Sequence, residues 1–406
     1  MNFVTKPFSI FFILSFVCLN SYADNESFEK ILRKKVLENG FKPSGSLYQN
    51  PDEKLVPFGK VIFESNKGLS LNGDISCKSC HLNEHGSADG IPNAAAIGGK
   101  GESSDRLLSG AKQLPRNTLA FWGRGAKDFN VFFWDGKVDF SNNQKKSQFA
   151  SKYPSSDPFI IAIHLPVVEI REMLDEDKFI EKNKVESVDN SKKIYSAIAQ
   201  NLKNVEKDAS EGIAKTLNKS LSELQFIDYA RSIAAFIRSE FRLKPTKLEK
   251  FVSNNEKLST DEVRGGVIFY GKGACSTCHN GPHFSDFKFH AVPFPQLGFG
   301  KNGFGVDYGR YNVSFNTNEL YKFRTPPLFN VEKTAPYGHS GSVKSLESAV
   351  IAHFDPLRLH DYSKLTALDR HELAKKLLLN DALPSVSYLN DEEVRQVVSF
   401  LKTLSF

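Results

Sequence analysis

Cysteine, methionine and tryptophan are scarce in this 406-residue chain, at five, two and two copies. So few cysteines exclude a small disulfide-stapled scaffold. Long hydrophobic runs are missing too. The longest, Phe8 to Leu19, has about a dozen residues, where a membrane-spanning helix needs about 20. Charge of one sign is also lacking: 53 Lys and Arg against 47 Asp and Glu leave +6 without long basic blocks, which argues against nucleic acid as a partner. What is present is ordinary for a folded protein. Hydrophobic residues at 40% and charged residues at 25% can bury real cores and exclude disorder and collagen-like architectures. The length predicts more than one domain.

The first residues read as a targeting segment rather than part of the fold. Lys6 precedes the apolar run, and Ser21-Tyr22-Ala23 supplies small residues where a signal peptidase cuts, so residues 1–23 are assigned as a secretory signal peptide, with an uncleaved anchor as the alternative. Cleavage leaves four cysteines, Cys77, Cys80, Cys275 and Cys278, and a single methionine, Met173.

Those four cysteines form two Cys-x-x-Cys pairs, each followed directly by histidine: Cys77-Lys-Ser-Cys80-His81 and Cys275-Ser-Thr-Cys278-His279. A haem held by thioethers needs two cysteines that reach its vinyl groups from one turn of backbone, and the next residue's imidazole then lies beneath the iron. A redox disulfide does not require histidine in both copies. A zinc site of four cysteines would have to join pairs 198 residues apart. Two covalently bound haem c groups are therefore expected. Haem attachment of this kind agrees with export and predicts a periplasmic location.

The surroundings of the two motifs repeat. Gly59-Lys-Val-Ile-Phe63 precedes the first and Gly265-Gly-Val-Ile-Phe269 the second, with eight more residues before the cysteine in the first copy. Ser259-Thr-Asp-Glu262 is a capping box ahead of the second lead-in helix. Another, Ser220-Leu-Ser-Glu223, predicts a helix with Leu224, Ile227, Ala234, Ile237 and Phe241 on its apolar face. Lys244-Pro245 breaks it. A last helix is expected from near Asn390, with Val394, Val397, Val398, Leu401 and Leu404 on one stripe. The stretches from about Lys182 to Lys207 and from Gly298 to Gly309 read as loops or excursions. Alternating strand patterns are scarce, so the expected fold class is mostly α, with two cytochrome c-like haem domains, residues 24–244 and 245–406.

At this point the residues carry a resemblance. Two haem motifs, Pro115-Arg116-Asn117-Thr118, Phe133-Trp134-Asp135-Gly136, Phe323-Arg324-Thr325-Pro326 and Thr334-Ala335-Pro336-Tyr337-x-His339-x-Gly341 occur in the order found in the bacterial dihaem cytochrome c peroxidase and MauG family, which the chain resembles over roughly residues 55–356.

The resemblance implies roles residue by residue. His81 would be proximal to the peroxidatic haem and His279 to the haem where electrons enter, with Trp134 as the relay between them; an ordinary core aromatic is the alternative for Trp134. A calcium ion would sit between the domains on the Asn117 side chain and the carbonyls of Thr334 and Pro336, oxygen ligands that suit a hard cation; capping and turn formation are the alternatives. The family's acid/base carboxylate lies in a Pro-x5-Glu-Met segment, matched by Pro166 through Glu172 and Met173, with Glu169 one turn away as second candidate. A solvated helix-face glutamate is the other reading. No histidine in the loop after the first motif lies well for covering that haem; His85 is close to His81, and His164 could intrude.

One departure is specific. Ordinary peroxidases of the family carry methionine fourteen residues after the Pro-Tyr-x-His-x-Gly histidine, and MauG carries tyrosine; here that count from His339 gives His353. The resemblance thus implies a bis-histidine C-terminal haem, with an ordinary helix residue as the alternative, and loss of thioether ligation should lower the potential. His283, His290, His339, His360 and His371 are read as structural or surface residues. The implied activity is reduction of hydrogen peroxide to water with electrons from a small redox protein such as cytochrome c or a cupredoxin. A MauG-like enzyme oxidising side chains of a partner protein is the alternative, and a pure electron carrier a third. A homodimer is possible by analogy.

Overall fold

The computed structural model describes residues 26–141, 147, 154–175, 188–380 and 387–406. Residues 1–23, read above as a signal peptide, lie outside the described residues. Helices dominate, and the strands are two-residue pairs, in agreement with the mostly α class expected from the sequence. Among the described residues no helix is long and apolar enough to cross a membrane.

Two hydrophobic cores organise the chain. The first gathers Ile62, Phe63, Ile161, Ile198, Tyr229, Ile233 and Phe236; the second gathers Leu248, Phe251, Val263, Phe269, Val397, Phe400 and Leu404. Each is built on one pair of packed helices: Val56–Glu64 against Phe226–Glu240 in the first, and Thr260–Tyr270 against Asp391–Lys402 in the second.

The repeated Gly-x-Val-Ile-Phe sequence has a physical reason at these crossings. A Cβ on Gly59 would lie 1.8 Å from the Ser232 carbonyl oxygen, and one on Gly265 would lie 1.8 Å from that of Gln396. Backbone meets backbone at each crossing, and the phenylalanine four residues on is buried beside it. Gly265→Ala must push the two helices apart, an overpacking cost of about 1–3 kcal/mol or more. Thermal unfolding should show a Tm lower by several degrees; an unchanged Tm would mean that the crossing yields freely.

The N-terminal helix, residues 26–38, joins the second core rather than the first. Leu32 and Val36 are fully buried there, with Leu47 beside them. Gly266 makes room: a Cβ on it would meet Leu32 Cδ1 at 2.6 Å.

The helix ends follow the capping chemistry, with two corrections. Ser259 and Glu262 cap Thr260–Tyr270 reciprocally, and Asn390 with Glu393 does the same for Asp391–Lys402. After Lys244-Pro245, Thr246 caps a new helix, Lys247–Val252. The Ser220–Glu223 box, however, closes only the single turn Leu221–Glu223, and the long helix starts at Phe226 behind a second box, Gln225 with Asp228. Leu224 is buried from an extended backbone instead of a helix face. The stretch read as a loop from about Lys182 contains the helix Val188–Val205. Ile194, Ile198 and Leu202 recur every fourth residue on its buried side, a stripe too narrow to stand out among so many lysines and asparagines. The Gly-rich segment 298–309 is a loop as expected.

Candidate functional site

Both Cys-x-x-Cys-His segments fold alike, because each wraps one tight turn and hands the histidine to a fixed acceptor. Residues Cys77–Ser79 and Cys275–Thr277 are short 3-10 turns, and the amides of His81 and His279 donate to the carbonyls of Cys77 and Cys275 at 3.1 and 2.9 Å. His81 Nδ1 lies 2.9 Å from the Ser87 carbonyl and His279 Nδ1 lies 3.0 Å from that of Phe284. A carbonyl only accepts, so Nδ1 carries the proton and Nε2 keeps a lone pair, the tautomer required of a metal-ligating imidazole. Burial holds both rings neutral, lowering His81 to about 3 and His279 to about 4. All four thiols are unpaired.

A cavity of about 470 Å³ opens beside the second motif, lined by Cys275, Cys278, His279, Phe294, Pro327 and Leu346 among others, and reaching Trp134 and Asn117. His353 faces His279 across it. The ring centroids are 6.3 Å apart. That spacing leaves room for one metal ion that both imidazoles would hold, at bonds of about 2.0–2.1 Å. His353 Nδ1 is held by the Ala349 carbonyl at 2.8 Å, leaving its Nε2 as the free donor atom too. Thiols, paired imidazoles and an apolar-walled cavity therefore fit a haem. Met173 is buried in the first core.

At the first motif, Phe121 stacks on His81 with centroids 3.6 Å apart and planes inclined by 22°. His164 is buried between Tyr195 and Phe226, with Nδ1 2.7 Å from the Ile160 carbonyl. His85 sits directly beneath Gly90.

Burial pushes the Cys77 thiol up to about 12 and that of Cys80 higher still, and the nearby Glu172 carboxylate adds to both. Glu172 stands in the turn after Pro166–Val168, its amide donating to the Glu169 carbonyl at 3.2 Å. It is thus not on a helix face. Burial raises its carboxyl to about 7, the Glu169 charge raises it further, and Lys137 and Lys301 oppose. Glu169 behaves differently: Lys137 Nζ lies 2.8 Å from its Oε2, and despite burial that lysine holds Glu169 below the usual range. The two candidate carboxylates are therefore sorted by environment, one drawn toward its ionised form by Lys137, one pushed up to about 7.

Trp134 occupies the loop between the paired strands Val131–Phe132 and Val138–Asp139. Its indole Nε1 donates to the Asn117 carbonyl at 2.9 Å, and its own carbonyl accepts from the Arg324 amide at 2.8 Å. Gly136 lets the loop seat closely, since a Cβ there would strike Phe289 and Arg310 at 2.4 and 2.5 Å. Arg116 pins the same loop, donating to Asp135 at 2.6 Å and through two nitrogens to Asp307 at 2.7 and 2.9 Å.

Asn117 joins the two halves. Its amide donates to the His339 carbonyl at 2.7 Å, and its side-chain nitrogen lies 2.6 Å from the Pro336 carbonyl, while Oδ1 is buried without a partner. Turning the carboxamide over would set Oδ1 beside the Pro336 oxygen, and Thr334 lines the same cavity. An oxygen cluster with an orphaned acceptor suits a hard cation.

Of the histidines read as structural, His283 bonds the Lys127 carbonyl, His290 pairs with Asp286, and His339 stacks on Phe323 with Nε2 2.8 Å from Gln296. Nothing in the sequence marks Lys137, Lys301 or the Arg116–Asp307 pair as parts of the site except that Arg116 stands in the Pro115-Arg116-Asn117-Thr118 motif.

The family model described as di-haem cytochrome c peroxidase matches residues 53–257. The cytochrome c peroxidase IdrP1 of Pseudomonas sp. (strain SCT) is 26% identical over 374 residues, covering 86% of this chain and 80% of that protein. The methylamine utilization protein MauG of Methylorubrum extorquens is 23% identical, covering 86% and 77%. Among solved structures, the diheme peroxidase BthA from Burkholderia thailandensis superposes with a TM-score of 0.61 at 18% identity, over 90% of this chain and 89% of that one. Sharing that family's sequence pattern across half its length and the fold across nearly all of it, this chain belongs to the di-haem cytochrome c peroxidase family, a family of oxidoreductase enzymes that carry two haem c groups.

Proposed function

We propose that the chain is a periplasmic peroxidase that reduces hydrogen peroxide to water with electrons from a small redox protein, by H2O2 + 2 H⁺ + 2 e⁻ → 2 H2O. Cys77 and Cys80 would hold one haem with His81 as ligand, and Cys275 and Cys278 the other with His279 and His353. When bound, these groups supply the electron storage and the O–O cleavage chemistry. The observation that carries the reading is Glu172, a half-buried glutamate near Cys77 and Cys80 whose carboxyl is pushed up to about 7 by loss of solvent. Such a group can take a proton from peroxide and return it to the departing oxygen. A pure electron carrier has no use for it. Lys137 keeps Glu169 ionised and out of that proton traffic. Trp134, bordering the His279 cavity in a loop clamped from both halves, relays electrons. The segment 1–23 and the haem attachment chemistry support the periplasmic location.

Because Glu172 must begin as the base, the rate with peroxide should rise with pH through about 7 and fall below it, as ionised Glu172 is lost. Stopped-flow mixing with peroxide across that range tests the reading: rapid turnover of a reduced cytochrome supports the peroxidase, whereas absence of any peroxide reaction leaves only an electron carrier. His353 in place of methionine favours one second reading, the MauG-like oxidation of a partner protein's side chains. It predicts a long-lived two-electron-oxidised state instead of turnover.

Asn117, with the carbonyls of Thr334 and Pro336, would hold calcium. A cation at about 100 times its Kd stabilises the folded state by about 2.7 kcal/mol. Chelation should therefore lower the Tm by several degrees, restored by calcium; Asn117→Ala should remove the response. Identical melts with and without chelator would remove calcium from the site.

A further inference from the structure

Among the described residues, arginines that are buried or nearly so are matched, with two exceptions. Arg116 meets Asp135 and Asp307, Arg310 meets Asp139, and Arg238 meets Asp157; Arg106 spends its donors on the carbonyls of Asp74, Ala95 and Ala96. Arg324 and Arg124 have no carboxylate. Arg324 is 1% exposed; its Nε donates to the Phe133 carbonyl at 2.9 Å and its Nη1 weakly to the Thr325 carbonyl at 3.3 Å. Its Nη2 is buried with no partner at all. Arg124 is 8% exposed and its guanidinium makes one hydrogen bond, Nε to the Ala120 carbonyl at 2.6 Å.

The two guanidiniums also oppose each other. Burial lowers Arg324 to about 10 and Arg124 well below its ordinary value, and Arg324's charge adds to the lowering at Arg124. Two like charges in a low-dielectric interior, one with an unsatisfied nitrogen, call for an anion. Both line the His279 cavity, and Arg124 is close enough to His81 for its charge to act on that ring as well. Fork-shaped donors suit carboxylates above other anions. A haem brings two carboxylate side chains of its own.

We propose that Arg124 and Arg324 are the receptor for the haem carboxylates in the His279 cavity, with Arg124 placed between the two histidine sites. The assignment rests on the reading that a haem occupies that cavity. It makes the two arginines positioning residues: they seat the haem edge beside Trp134, whose loop Arg324 holds through the carbonyls of both Phe133 and Trp134. A positive charge beside a redox centre favours its reduced form, so the pair also raises the potential of the group it binds.

The test uses the intact holoprotein. Mass determination first counts haem on both cysteine pairs; absence from Cys275 and Cys278 would sink the underlying reading rather than this one. With haem present, Arg324→Gln and Arg124→Gln should lower the midpoint potential of the C-terminal haem, by about 59 mV for each tenfold loss of preference for the reduced state. Arg324→Lys, which keeps the charge, should recover most of it. Fully loaded glutamine variants with wild-type potentials would overturn the proposal. Should those variants fail to accumulate, a crystal structure of the wild-type holoprotein decides: a haem carboxylate oxygen within about 2.7–3.2 Å of Arg324 Nη2 is required, and a chloride, a water cluster or a protein carboxylate there excludes it.

Discussion

Glu172→Gln is expected to retain both haems and their spectra yet react with peroxide about 10²–10⁴-fold more slowly, the usual worth of a positioned acid/base group. The amide preserves shape and packing but cannot cycle a proton. Glu169→Gln separates the two carboxylates. Glu169 raises Glu172 by its charge, while the lysine it neutralises, Lys137, opposes that rise. Removing the Glu169 charge should therefore lower the Glu172 pKa, move the pH-rate midpoint down, and cost less in maximal rate than Glu172→Gln. Rapid-mixing rates across pH check both variants. Near-wild-type rates in Glu172→Gln, or the larger loss in Glu169→Gln, would show that the roles are reversed.

His353→Ala is expected to abolish the low-spin signal of the C-terminal haem and leave the other haem nearly unchanged. The wild-type oxidised protein should lack the weak far-red band of methionine bound to ferric haem, because the one methionine after Met1, Met173, is buried in the opposite core. The 6.3 Å separation of the His279 and His353 rings leaves room for a metal that both would hold. His353→Met should raise the potential if sulfur reaches the metal, since Met/His ligation favours the reduced state. Paramagnetic resonance of His353→Ala decides: an unchanged low-spin species would mean that another residue is the ligand.

Motifs whose chemistry is local were legible in the sequence. A Cys-x-x-Cys-His segment needs only one turn of backbone, and both copies fold into that turn. Capping boxes are likewise decided within four residues, as at Ser259 and Asn390. The Ser220 box was read one turn too generously, because a capping signal fixes where a turn begins and says nothing of how far the helix runs. The helix Val188–Val205 was missed because a stripe of one apolar residue per turn is all its partner needs.

The pair of cysteine motifs, the glycine-marked lead-in helices and the order of the family's segments are consequences of neighbours along the chain. Which glutamate is poised to titrate depends on the tertiary structure alone. Glu169 and Glu172 lie three residues apart in equally suggestive sequence, yet Lys137, over thirty positions upstream, fixes one as an anion, and burial beside Cys77 and Cys80 lifts the other toward neutrality. Only it, too, brought Arg124 and Arg324 together without a carboxylate. The reason is common to both cases: a charge's state depends on the dielectric and the charges within a few ångströms, and those neighbours come from segments the chain order keeps far apart.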